Sequence, residues 1–116
     1  MLKRIGAEQS GEFKAVASGT LPSGKPVVVN ADGTVSTISG GNLTSENYIG
    51  MSKGGAVADT KGATIDIIGA VNDEQSGLTA GQQYFVQTDG TIGTTAATPS
   101  VLAGTAISAT KLIVKE

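Results

Sequence analysis

The chain is expected to fold as an all-β domain, either a compact β-sandwich or a small β-barrel of short antiparallel strands, on three grounds. Its 17 glycines and many Thr and Ser are set among short β-branched runs, a composition of strands and frequent turns. Helix formers never accumulate over a long window. A hairpin is also used twice: LPSGKPVVVNADGTV, residues 21–35, returns without a gap as LTAGQQYFVQTDGTI, residues 78–92. The copies lie 57 residues apart and pair Leu21 with Leu78, Gly24 with Gly81, Val29 with Val86, and Asp32-Gly33-Thr34 with Asp89-Gly90-Thr91. Glycines and apolar alternation kept in register mark an internal repeat. Two equivalent hairpins are expected to pack about a pseudo-two-fold axis, in a chain that reads as a scaffold rather than a catalyst.

Each element follows from local chemistry. Phe13 to Ser18 alternates Phe13, Ala15 and Ala17 against Lys14, Val16 and Ser18, which suits a first strand or an extended arm. Pro22-Ser23-Gly24 is a turn, and Lys25 to Asn30 is a strand starting beside Pro26, where a missing N–H does least harm. Asp32-Gly33 reverses the chain into Thr34 to Ile38, because Gly accepts the positive φ of tight hairpins. A loop from Ser39 to about Glu46 leads to a strand over Tyr48 to Ser52, broken by Lys53-Gly54-Gly55. Ala63 to Val71 reads as one half-buried strand, with Ile65, Ile67 and Val71 on one face and Thr64 and Asp66 on the other. The polar run Asn72 to Ser76 connects to the second hairpin, over Gln83 to Thr88 and Gly90 to Thr94. Thr94 to Pro99 is a solvated loop, and Val101 to Ser108 and Thr110 to Lys115 supply closing strands. Tyr48 to Ser52 also matches Leu102 to Ala106, shifted by a few residues from the hairpin register. Eight or nine strands thus form one domain, residues 13–116, behind a flexible arm, residues 1–12, with repeated units near 21–52 and 78–108.

At 116 residues the chain is long enough to bury roughly two-thirds of its unfolded surface. Aromatics are only 3% of it, so Val, Ile, Leu and Ala must fill the core. The net charge is −2 and the eight Lys and Arg are scattered, which disfavours nucleic acid as a partner, since phosphates need a basic patch. Without Cys, neither a disulfide nor a thiolate metal site can form. No stretch approaches the ~20 apolar residues of a membrane-spanning helix, and Met1 to Gly6 lacks the apolar run of a signal segment. The reading is a soluble chain with no membrane partner.

Candidate chemistry is sparse. With no His and no Cys, the commonest general base, metal ligand and reactive nucleophile are missing. The best carboxylate group is Asp59, Asp66, Asp73 and Glu74, and it reads more simply as solvated loop plus the outer face of one strand. Asp32 and Asp89 each precede Gly and are turn residues before they are acids. Asn72 to Ser76 offers hard oxygens but lacks the Asp/Asn ladder and distal Glu of a calcium loop. Gly40-Gly41 and Gly54-Gly55 lack the Lys-Ser/Thr of a phosphate-binding loop. Tyr48 and Tyr84 could stack on sugars, but with so few aromatics they are expected as core or subunit-interface anchors. No catalytic residue, cofactor or metal is expected.

The second repeat and the segment after it carry a resemblance. Gly77 to Ile92, GLTAGQQYFVQTDGTI, and Pro99 to Val114, PSVLAGTAISATKLIV, resemble a β-rich module of tailed-bacteriophage virion proteins. There a GLTPG-x-x-YYV turn and strand leads to DGT and then to a VG-x-A-x-S-x-TKLLV-like closing strand. Ala80 stands where that module usually has Pro, and the likeness covers about the last 70 residues, counting the Tyr48-Ile49-Gly50 strand and the Ile65 to Asn72 strand. It implies a virion surface protein with no catalytic residues, Gly81 and Gly90 at turns, and Tyr84 and Val86 pointing inward.

A tail fibre normally carries a long shaft, whereas 116 residues starting at Met1 look like a complete small product. The expectation is therefore a capsid decoration, or cement, protein on the outer capsid surface, with the major capsid protein as partner and a homotrimer as a plausible assembly. Lys3, Arg4 and Ile5, in the polar start Met1 to Glu12, are the expected capsid contacts, as an arm or an added strand. Gly24, Asp32, Gly33, Gly81, Asp89 and Gly90 are expected as structural turns. The alternative is a tail-fibre or receptor-binding module whose loops Ser39 to Asn47 and Thr94 to Ser100 contact a host glycan. A third class, a carboxylate hydrolase, would need a pocket joining Asp66, Asp73 and Glu74.

Overall fold

The computed structural model describes residues 11–54 and 62–115, and these form ten strands with no helix. The first half supplies β1 (Glu12–Val16), β2 (Pro26–Val29), β3 (Val35–Thr37), β4 (Tyr48–Lys53) and β5 (Gly62–Ile67). The second supplies β6 (Val71–Asn72), β7 (Gln83–Val86), β8 (Ile92–Gly93), β9 (Leu102–Ala106) and β10 (Leu112–Val114). Two five-stranded antiparallel sheets result, ordered β1-β5-β4-β2-β3 and β6-β10-β9-β7-β8. The second order is the first with every strand advanced by five. The duplication therefore covers a whole five-stranded unit, of which the repeated hairpin is the best-preserved part. β1 already includes Glu12, the last residue assigned to the arm, while residues 1–10 lie outside the described ones.

The equivalences can be read from strand pairing. β2 and β7 span matching residues at the 57-residue spacing, and β3 and β8 start at matching residues. In the next strand the spacing is 54: Gly50 pairs with Val27 as Gly104 pairs with Tyr84, and Tyr48 pairs with Val28 as Leu102 pairs with Phe85. Both pairings carry a register shift at this place. Gly50 and Gly104 are also equivalent in contact. A Cβ on Gly50 would lie 2.1 Å from the Asp66 carbonyl oxygen, and one on Gly104 would lie 2.0 Å from that of Ile113. Only glycine lets the neighbouring strand approach so closely.

One expected strand is two. Ala63 to Val71 breaks after Ile67, where the Ala70 N–H donates to the Ile67 carbonyl at 2.9 Å around Gly69. Val71 therefore opens β6 in the other sheet, even though its apolar spacing continues that of Ile65 and Ile67. Asp66, expected on a solvated face, is only 2% exposed, because the second unit covers that face.

The cores show how the units stack. Val27, Val35, Ala63 and Ile65 pack with Ala17 and Leu21 in a core confined to the first unit. A parallel bridge from Ala17 to Val35, with the Ser18 N–H donating to the Val35 carbonyl at 2.9 Å, ties the end of β1 to β3 and curls this sheet around its core. The matching inner residues of the second unit, Tyr84, Val86, Leu112 and Val114, instead pack with Val28, Tyr48 and Met51 from the opposite face of the first sheet. A two-fold packing of hairpins would set equivalent faces together. Here the inner face of one unit lies on the outer face of the other, so the stack runs head to tail.

Candidate interaction surfaces

The repeated turns are alike inside and different outside. In the first, the Thr34 N–H and hydroxyl donate to Asp32 Oδ1 at 3.0 and 2.6 Å; in the second, the same groups of Thr91 donate to Asp89 Oδ1 at 3.1 and 2.6 Å. The Thr hydroxyl first, and its N–H second, hold each Asp carboxyl below its ordinary range. Gly33 and Gly90 take φ of 87° and 89°, the left-handed conformation this turn needs. A Cβ on Gly90 would lie 2.9 Å from the Ile38 carbonyl oxygen, while one on Gly33 would meet nothing. The same asymmetry holds for the other pair. Gly24 lies against the Glu74 carbonyl, where a Cβ would be 2.4 Å away, and Gly81 faces open space.

A polar clasp joins the units at β6. Asn72, fully buried, donates from Nδ2 to the Ser52 carbonyl at 2.9 Å and to Asp66 Oδ2 at 3.0 Å. Its Oδ1 accepts from Gln75 Nε2 at 2.8 Å, and that amide also reaches the Gly24 carbonyl at 3.0 Å. Burial raises the Asp66 carboxyl above its ordinary range, and the Asn72 bond and Lys53 offset part of that rise. The Glu74 carboxylate accepts the Gly54 N–H on both oxygens, at 2.9 and 3.0 Å. A cleft of about 320 Å³ beside this seam is lined by Lys25, Glu74, Tyr84 and Thr91 among others, but by neither Asp66 nor Asp73. The carboxylates singled out in the sequence thus do not converge: Asp66 lies under Asn72, Asp73 is exposed, and Asp59 lies outside the described residues. Among the described residues no group of three potential metal ligands gathers.

Apolar surface is the larger feature. Phe13, Val16, Ile68, Val71 and Ile107 are 44–52% exposed. Phe13 and Ile68 join Val29, Ile49 and Ile67 around an open hollow of about 430 Å³ on the first unit, with Glu46 at its rim. On the second unit, strand alternation sets Phe85, Leu102, Thr105 and Ile113 outward and half-buried, between the exposed Val71 and Ile107. Sequence alone hid this surface, because the corresponding positions of the first unit are Glu12, Lys53 and Asp66 where the second has Val71, Ile107 and Ile113. Lys53 and Glu12 form a surface ion pair there. That bond lowers the Glu12 carboxyl and raises the Lys53 ammonium.

Both tyrosines are buried. The Tyr48 hydroxyl donates to the Ala103 carbonyl of the second unit at 3.1 Å, and burial raises its pKa. The Tyr84 hydroxyl accepts the Thr79 N–H at 2.9 Å within its own unit. In the loop over 39–47, Asn42 Oδ1 accepts the Ser39 N–H and Asn47 Oδ1 the Thr44 N–H, both at 2.9 Å, while Leu43 anchors in the shared core. In the other loop Gln87 Nε2 donates to the Thr95 carbonyl at 2.8 Å. Lys3, Arg4 and Ile5 lie outside the described residues. No protein-family model matches the chain, and no curated protein matches it.

Proposed function

We propose that this protein is a non-enzymatic capsid decoration protein of a tailed bacteriophage, bound to the outer capsid surface, where it braces neighbouring major capsid subunits. The observation that carries this reading is where the resemblance falls. Gly77 to Ile92 and Pro99 to Val114 contain β7, β9 and β10 and reach the first residue of β8, four adjacent strands of one sheet. With the Tyr48 to Gly50 and Ile65 to Asn72 segments counted, the likeness also takes in parts of β4, β5 and β6, so it follows strands of both units rather than scattered turns. Many copies of a modest contact act together on a shell, so avidity supplies what one small interface lacks. A homo-oligomer, with a trimer first in view, would raise that avidity further. The segment carrying Lys3, Arg4 and Ile5 precedes β1 in the chain and is the proposed shell contact.

Deleting Met1 to Gly11 tests the arm. The shortened chain is expected to remain folded by circular dichroism and to lose co-sedimentation with expanded capsids, and undiminished binding would refute the arm as the contact. The second reading, a tail-fibre or receptor-binding module, draws on the braced loop over 39–47, whose internal hydrogen bonds suit it to present a fixed surface. Adsorption to host cells without binding to empty capsids would favour that reading.

A further inference from the structure

The chain makes one apolar interface inside itself and leaves a copy of each side of it open. Within the stack, Val28, Tyr48 and Met51 on the outer face of the first unit pack with Val86, Ala103 and Val114 on the inner face of the second, and all six are buried. The open inner face is the hollow of the first unit, where Val29, Ile49 and Ile67 take the places of those three and stay half-exposed. The open outer face belongs to the second unit, where Phe85, Leu102 and Thr105 take the places of Val28, Tyr48 and Met51 and are likewise half-exposed. Apolar side chains at Val71, Ile107 and Ile113, where the first unit carries charge, widen this second face. An exposed patch of this composition marks an interaction surface.

We infer that copies of this chain associate head to tail, the outer face of the second unit of one copy seating in the first-unit hollow of the next. The contact would repeat between molecules what the fold already makes within one. Charge favours the same pairing. Glu46 stands at the rim of the hollow, and Lys111 flanks the other face, its carbonyl accepting the Ile107 N–H at 2.9 Å. An interface of this kind joins two different surfaces, so it closes into a ring or extends into a filament according to its angle. It does not depend on what the arm binds, and its failure would leave the capsid reading intact.

The experiment uses two full-length variants. Leu102→Lys spoils only the outer face and Ile68→Asp spoils only the hollow. Wild-type protein is expected to self-associate in sedimentation velocity, and each variant alone to be monomeric, weakened roughly 30-fold or more. Mixed in equal amounts, the variants keep one good copy of each face and are expected to form a one-to-one dimer and nothing larger. Wild type that stays monomeric at its highest soluble concentration, variants that still self-associate, or a mixture that stays monomeric would each overturn the inference. Circular dichroism melts confirm folding, and Ile107→Lys, at a 45% exposed site, replaces Leu102→Lys if that variant fails to fold.

Discussion

The first unit has a core of its own, whereas the second completes its core with side chains from the first. Ala17 and Leu21 fill the first sheet from within, and the Ala17–Val35 bridge ties its edges. The inner residues of the second sheet pack with Val28, Tyr48 and Met51 instead. Equal topology with unequal burial shows that a duplicated unit need not duplicate its role. The sheet order is inherited, while a few apolar or polar choices decide which face meets water. The same holds for the turns, since Gly24 and Gly90 lie against the other unit and Gly33 and Gly81 face open space.

The largest expected effect probes what the units share. Gly50→Ala and Gly104→Ala should each destabilise by ~3 kcal/mol or more, because both place a methyl on a carbonyl of the neighbouring strand. Chemical denaturation checks this, and a large gap between the two variants would break the equivalence. Asn72→Ala comes next, at about 2–3 kcal/mol, since it strands the buried Asp66 carboxyl at the seam. Tyr48→Phe should cost about 1 kcal/mol by removing the hydroxyl that bridges the units. Tyr84→Phe should cost less, because the Thr79 N–H it frees lies on an exposed residue and can bond water instead. Comparable costs at the two tyrosines would contradict the asymmetry.

The smallest effect is a pH dependence. Burial holds the folded Asp66 carboxyl above its unfolded value, which is about 3.9. Between the two values the folded state keeps a proton that the unfolded state has released, so stability falls as pH rises through that window. Asp66→Asn should therefore match or exceed the wild type in stability at neutral pH. Its advantage should vanish in acid, which thermal melts across pH would show.

Turn chemistry made the hairpin repeat legible, because Asp-Gly-Thr must be kept wherever Thr donates back to Asp around a glycine with positive φ. The rest of the unit was not legible. The spacing slips from 57 to 54 residues after the hairpin, and in those later strands Gly50 and Gly104 agree in identity while burial differs at Tyr48 and Leu102, Ile49 and Ala103, and Met51 and Thr105. Ala63 to Val71 reads as one strand in the sequence because the apolar spacing runs on across a turn. Asp66 read as solvated because alternation reports two faces without saying that a second sheet covers one of them. The open apolar faces were hidden for a related reason, since Val71, Ile107 and Ile113 lie far apart in the chain and meet only through the pairing of β6, β10 and β9.

The head-to-tail stack is tested most directly by nuclear Overhauser contacts of the Tyr48 ring in the monomeric Leu102→Lys variant. Contacts from Tyr48 to Ala103, across the units, are expected from the bond between its hydroxyl and the Ala103 carbonyl. A Tyr48 ring with contacts only inside the first unit would contradict the stack, and with it the assignment of both open faces.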